Sequence, residues 1–325
     1  MEVVAYVFPG QGSQSVGMAR QLADSSGAAR AVFAEADAAL GEPISRLAWD
    51  GPAEELDRTE NAQPALLAAS IAFLRALEEA WAAAGTRAIE PAFCAGHSMG
   101  QYSAMVAAGV ISLADGVRLV RERGRLMQAA SGDGAMAAVI GLADEHLAEL
   151  EAAGQAAGVF AIANRNSPGQ VVVSGQRRAV EVAAEAARGM GAKRAIVLPV
   201  SVAAHSPLMT GAAEGMRRAI EGVEFRDPEV PLLANADARR LTTGEACRAE
   251  LIEHLTRGVD WIAAVNAMLD EGVRAFVEVG PGRVLSGLVR RIAPEARAVA
   301  VDDPAAPRAL ALDAVELPET IASPA

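Results

Sequence analysis

Short apolar runs alternate along this chain with longer stretches of helical period. Residues 3–8, VVAYVF, form a brief β-branched run that stops at Pro9-Gly10, which predicts a buried strand. Stretches 28–40 and 64–84 are rich in Ala and Leu and predict helices. A second short apolar run, 92–95, leads into Gly96-His97-Ser98-Met99-Gly100 and then a further helical stretch from Gln101. Strands alternating with helices predict an α/β fold with a mainly parallel sheet.

The middle of the chain follows another order. Residues 135–140 read as strand, 144–153 as helix, 159–164 and 170–174 as strands, 177–189 as helix and 194–200 as strand. This is the β-α-β-β-α-β order of a ferredoxin-like unit, so an inserted subdomain is expected over 132–198. A large α/β domain is expected from 1–131 and 199–303. It resumes with helices near 211–220 and 262–271 and a strand at 275–279 that ends in Gly280-Pro281-Gly282. The Ala- and Pro-rich tail, 304–325, has no strong period and is expected to be disordered.

Composition narrows the function classes. The 325 residues are 52% hydrophobic and 22% charged, ordinary for a soluble enzyme. A net charge of -12 disfavours a nucleic-acid partner, which needs clustered Lys and Arg. No basic leader followed by an apolar stretch opens the chain, and no run reaches about 18 apolar residues, so neither a signal peptide nor a membrane span is expected. Cys94 and Cys247 are the only cysteines. They are too few for a disulfide framework or a zinc site, and a cytoplasmic protein without a metal is expected.

The G-x-S-x-G sequence at 96–100 sits where a predicted strand hands over to a predicted helix, the context required of a nucleophile elbow. A serine on such a turn faces a helix N-terminus, whose N–H groups favour a developing oxyanion. Glycines on either side let neighbouring backbone approach. The hydroxyl needs a base, and the chain has four histidines. His97 precedes Ser98 in an extended strand end and should point to the opposite face. His146 lies in a polar helix. His254 lies in a helical stretch over 248–257 and reads as a surface residue. His205 follows an apolar strand read over 195–202 and precedes Ser206-Pro207, a place where ligand sites gather in α/β folds. His205 is therefore the expected base. No acidic residue between the two stands out, and a backbone carbonyl can orient the imidazole instead. The early Gly10-x-Gly12 fails the dinucleotide fingerprint because Ser15 stands at the third glycine position.

Seven segments in order, VFPGQGSQSVGM, NAQPALLAASIA, GHSMGQYSA, RERGRLMQ, NRNSPGQVVVSG, PVSVAAHSPLM and VEVGPGRVL, resemble the malonyl-CoA:acyl carrier protein transacylases from about residue 3 to about residue 292. The resemblance implies a hydrolase-like α/β core with a ferredoxin-like subdomain, and ping-pong transfer of malonyl from coenzyme A to acyl carrier protein. Ser98 would be the acylated nucleophile and His205 the base. Backbone N–H groups of Gln11 and Met99 would form the oxyanion hole. Arg123, which by itself reads as a solvated helix charge, would clamp the malonyl carboxylate, as suits a guanidinium fork. Gln63 and Asn166 would line the acyl or coenzyme A site.

The resemblance further implies no tightly bound cofactor, coenzyme A thioester as substrate, and service to fatty-acid or polyketide synthesis. A monomer acting in trans on a separate carrier protein is expected. Three positions depart from the family pattern. Gln101 replaces the usual Glu. Ala204 replaces a frequent Phe, which opens space for a methyl-branched extender. His254 replaces the Gln whose carbonyl orients the base. A thioesterase releasing the acyl group to water and an inactive docking subunit are the rival classes.

Overall fold

The computed structural model describes residues 2–130, 132–200 and 202–303. The expected tail lies outside the described residues. Among these described residues eleven strands form two sheets. In chain order they are β1 (Val4–Phe8), β2 (Phe93–Gly96), β3 (Gly134–Ile140), β4 (Phe160–Ser167), β5 (Gln170–Gln176), β6 (Arg194–Val197), β7 (Leu232–Leu233), β8 (Arg240–Leu241), β9 (Val259–Asp260), β10 (Ala275–Val279) and β11 (Arg297–Val301).

The larger sheet has the order β11-β10-β1-β2-β7-β8, and every pair is parallel except β7 with β8. Its central strand β1 is buried at every position, as a parallel strand covered on both faces must be. Successive side chains of β1 serve opposite faces. Val4, Tyr6 and Phe8 join a cluster with the helices Gly27–Leu40, Thr59–Ala84 and Leu113–Ala129. Ala5 and Val7 join a second cluster with the helices Trp261–Asp270 and Val284–Ile292. Among the described residues no helix is long and apolar enough to cross a membrane.

The smaller sheet has the order β6-β3-β5-β4-β9. Its first four strands pair antiparallel, and two helices, Leu147–Gln155 and Arg177–Gly189, bury a third apolar cluster against it. This is the ferredoxin-like arrangement that the element order predicts. The fifth strand is not foreseen by the sequence. β9 comes from the chain that builds the larger sheet and pairs in parallel with β4. Two residues of ordinary composition carry no periodic signal, so only the tertiary contact reveals them.

Several boundaries differ from the sequence reading, and two differences shape the site. The helix expected from Pro64 begins five residues earlier, at Thr59, which places Gln63 on a helical face. The strand expected to run through 202 ends at Val197, on a sheet edge. Pro199 cannot donate to a ladder, and the chain leaves the smaller sheet there. His205 therefore does not lie at a strand end. It sits in a connecting turn, with φ of 59°, just before the Pro207–Met209 turn of 3₁₀-helix.

Candidate active site

The elbow is built by close contact between backbones. A Cβ on Gly96 would lie 2.0 Å from the Gly100 carbonyl carbon, and one on Gly100 would lie 2.2 Å from the Phe8 carbonyl oxygen. Both positions therefore require glycine, and the turn folds tightly onto the end of β1. Ser98, between them, has φ of 53°, a strained conformation for a residue with a side chain. The Gly100–Ala107 helix starts immediately after Met99, which is fully buried. The Pro9-Gly10-Gln11 segment packs on the other side, since a Cβ on Gly10 would lie 2.6 Å from the His97 carbonyl oxygen. The Gln11 side chain donates to Thr59 Oγ1 at 3.2 Å.

Ser98 Oγ meets two partners. His205 Nε2 lies 2.8 Å away and Arg123 Nη2 lies 3.1 Å away. His205 Nδ1 is 2.7 Å from the His254 carbonyl oxygen and 3.0 Å from that of Arg257. Carbonyls only accept, so Nδ1 carries the hydrogen and Nε2 presents its lone pair to the serine hydroxyl. The Arg257 carbonyl is a partner that the sequence reading does not name. The Arg257 side chain is itself tied to Asp237 at 3.0 Å and Glu253 at 3.2 Å, which steadies the turn that supplies both carbonyls.

Arg123 is 1% exposed, so it is not the solvated charge that its local sequence indicates. Gly124 explains how it becomes buried. A Cβ there would lie 2.5 Å from Glu60 Cα, so the Leu113–Ala129 and Thr59–Ala84 helices touch backbone to backbone at this point. That contact brings Arg123 Nη1 to 2.8 Å from Gln63 Oε1. The guanidinium also lies 5.9 Å from the Tyr102 ring centroid. Among the described residues no carboxylate pairs with Arg123, and its Nε has no hydrogen-bond partner. A guanidinium stays charged even when burial lowers its pKa. Among the described residues, then, a buried cation lies beside Ser98 with no anion to match it.

Electrostatics follow from this cation. Burial first, and Arg123 second, push the His205 imidazole down to about 4. His205 is consequently neutral at physiological pH, the form that can take a proton. His254 is 1% exposed, which corrects its reading as a surface residue: it ends the helix Gly244–Glu253 with its ring turned inward. Its ring packs on Tyr102 and His205, at centroid distances of 5.9 and 6.1 Å. Burial and the two neighbouring groups hold it well below the ordinary imidazole range.

The other singled-out residues frame the elbow. Asn166 Oδ1 bonds His97 Nε2 at 2.9 Å, so β4 of the smaller sheet braces the residue before Ser98. His146 is partly exposed near Glu149 at 3.6 Å. Gln101 is fully buried; it accepts from the Gly96 N–H at 3.3 Å and donates to the Leu233 carbonyl at 2.9 Å. A carboxylate could not make the second bond, so the neutral amide suits this site.

Asn235 was missed by the sequence reading. It follows β7, which lies beside β2 in the larger sheet, and its Oδ1 accepts the Ser98 N–H at 2.8 Å. Nothing in its neighbourhood, LLANADAR, marks it out. Only strand order places it at the elbow.

A family model described as acyl transferase domain matches residues 5–303. The malonyl CoA-acyl carrier protein transacylase of Escherichia coli (strain K12) is 47% identical over 311 residues, 94% of this chain and 98% of that protein. Among solved structures, the acyl-carrier-protein-S-malonyltransferase of Bartonella henselae aligns with a TM-score of 0.91 at 42% identity, covering 96% of this chain and 99% of that one. A type II PKS acyl-carrier protein in complex with its malonyl-transacylase aligns with a TM-score of 0.88 at 42% identity, covering 97% and 99%.

Proposed function

Because the chain belongs to the acyl transferase family, among the malonyl CoA-acyl carrier protein transacylases, we propose that it moves malonyl from coenzyme A to the phosphopantetheine thiol of an acyl carrier protein through an ester on Ser98. The observation that carries this reading is the buried, anion-free Arg123 guanidinium 3.1 Å from Ser98 Oγ. A cation withdrawn from water without a counter-charge is costly. An acyl group with its own free carboxylate supplies that charge, and the guanidinium fork can hold it by two parallel bonds.

In the first half-reaction the Ser98 hydroxyl gives its proton to His205 Nε2 as Oγ attacks the thioester carbonyl carbon. The C–S bond then breaks, and the coenzyme A sulfur leaves with the proton from His205. In the second half the carrier thiol passes its proton to His205 as its sulfur attacks the ester carbonyl carbon; the C–Oγ bond then breaks, and Ser98 Oγ leaves with the proton from His205. The N–H groups of Gln11 and Met99 are the proposed donors to the oxyanion in both halves. Asn166 and Gln63 line the approach, Gln63 by holding Arg123 in place. Coenzyme A thioester is a substrate, and no resident cofactor enters either step. The small Ala204 side chain next to the base suits a methyl-branched extender as well as malonyl. A monomer acting in the cytoplasm, in fatty-acid or polyketide synthesis, completes the reading.

The test is to mix the protein with malonyl-CoA, follow a covalent adduct by intact mass, and then offer either buffer or a holo acyl carrier protein. The expected result is a stable adduct that the carrier discharges far faster than water does. Discharge by water at the carrier's rate would make the protein a thioesterase, and absence of an adduct would make it neither.

The pH profile is a further check. His205 acts as a base only when neutral, so kcat/KM for malonyl-CoA should fall only as pH drops toward about 4, well below the ordinary imidazole value. Bound malonate charge offsets Arg123 and raises the His205 pKa, so the acid limb of kcat should lie at higher pH than that of kcat/KM. A limb at 6.5 in both profiles would contradict the burial argument. The same depression acts on stability. Between pH 6.5 and about 4 the unfolded chain binds a proton at residue 205 that the folded chain does not. Stability is therefore fully present above 6.5 and is lost as pH falls through that window.

A further inference from the structure

We propose that Asn235 is a positioning residue that holds Ser98 in its strained conformation, an inference that rests on the acyl-serine reading above. Four hydrogen bonds converge on it. Oδ1 accepts the Ser98 N–H at 2.8 Å, and Nδ2 donates to the Gly96 carbonyl at 3.1 Å. The side-chain amide thus spans the elbow and ties together the peptide groups on both sides of His97. The backbone of Asn235 is fixed in turn. Its N–H donates to Glu250 Oε1 at 2.7 Å, and its carbonyl accepts from the Asp260 N–H at 2.7 Å. Asn235 is 4% exposed and Glu250 is 1% exposed, so no solvent competes for these bonds.

The physical need is specific. At φ of 53° Ser98 occupies the left-handed region, which disfavours a residue with a Cβ. Relaxation to negative φ would swing Oγ away from both His205 and Arg123. It would also turn the following peptide, whose Met99 N–H is a proposed oxyanion donor. A bond to the Ser98 N–H opposes that rotation directly. It also satisfies a donor that points away from the reacting carbonyl and that would otherwise be left without a partner inside the protein. Gln101 holds the opposite side of the same peptide run, through the Gly96 N–H and the Leu233 carbonyl. Its side-chain bonds stop short of Ser98. Asn235 alone among the described side chains holds the nucleophile's own backbone.

A positioning role predicts a separation of kcat from KM. In Asn235→Ala the single-turnover rate of Ser98 malonylation, followed by quenched-flow intact mass, should fall about 30- to 100-fold, with KM for malonyl-CoA within about 2-fold of wild type. Asn235→Asp retains an oxygen toward the Ser98 N–H. Its carboxyl is buried near Glu250, stays protonated, and can donate to the Gly96 carbonyl. It should recover the rate to within about 10-fold of wild type. Both variants are compared below their own unfolding midpoints, so lost stability is not read as lost rate. The proposal is overturned if folded Asn235→Ala malonylates within about 3-fold of wild type, if its loss lies entirely in KM, or if Asn235→Asp is as slow as the alanine variant. If wild type itself forms no adduct, the function proposed for Ser98 fails, which is a different outcome from any of these.

Discussion

Ser98→Ala is expected to abolish the covalent malonyl adduct and to lower malonyl transfer by about 10⁴-fold or more. The geometry gives the reason. Ser98 Oγ is the atom that both His205 Nε2 and Arg123 Nη2 face, at 2.8 and 3.1 Å, and among the described residues no other hydroxyl shares those partners. His205→Ala should come within an order of magnitude of the same loss, and the double variant should be no worse than the poorer single one, because the two residues act as a unit. The measurement is steady-state transfer from malonyl-CoA to holo carrier protein, with intact mass for the adduct. An adduct that persists in Ser98→Ala would show that another residue is acylated and would end the acyl-serine reading. Loss of the hydroxyl should barely alter folding, since Ser98 keeps its backbone bond to Asn235.

The second large effect is a change of selectivity rather than of rate alone. Arg123→Ala should reduce kcat/KM for malonyl-CoA by about 10²–10³-fold, the scale of a buried charge-assisted pair, about 3–4 kcal/mol. Acetyl-CoA has no free carboxylate to lose and should be affected far less. Competition between the two donors should therefore shift toward acetyl in the variant. Arg123→Lys should recover only part of the malonyl preference, because an ammonium offers no planar fork and would not hold Gln63 and Ser98 Oγ together. Removing a buried cation that lacks a counter-ion should also raise stability, so Arg123→Met is expected to melt at a higher temperature than wild type while transferring malonyl poorly. If Arg123→Ala loaded malonyl and acetyl in the wild-type ratio, the carboxylate clamp would be wrong even with Ser98 acylated as proposed.

Legibility of the fold tracked the strength of the local signal. The β1 run and the Ala275–Val279 strand are short, apolar and bounded by Pro or Gly, and the structure places them where the pattern does. The helix Arg177–Gly189 has a clear amphipathic period and agrees at both ends. Agreement failed where the signal was weak or a neighbour overrode it. Pro64 reads as a helix start, yet the helix takes in Thr59–Gln63 because their side chains pack against the Arg123 helix. The run before His205 is apolar enough for a strand, but Pro199 and the sheet edge end β6 at Val197.

The residues of the candidate site divide along the same line. Ser98 is legible because G-x-S-x-G between strand and helix is a local constraint: the glycines answer contacts made within a few residues and with the adjoining β1. His205 is legible by elimination among four histidines. Its orientation is not, since the two carbonyls that fix its tautomer come from residues 49 and 52 positions away. Local composition would leave Arg123 and His254 on the surface. Burial makes one a charge in need of an anion and the other a neutral ring against Tyr102 and His205.

By itself, then, the sequence determined the α/β layering, the ferredoxin-like insertion and the turn that exposes the serine. Each depends on periodicity or on steric limits acting over a few residues. Tertiary structure alone decided which side chains surround that serine. Asn235 reaches the elbow because β7 lies beside β2, and Arg123 loses its solvent because Gly124 lets two helices meet. Desolvation and hydrogen-bond geometry depend on distances between segments remote in sequence, and those distances exist only once the sheet has set its strand order.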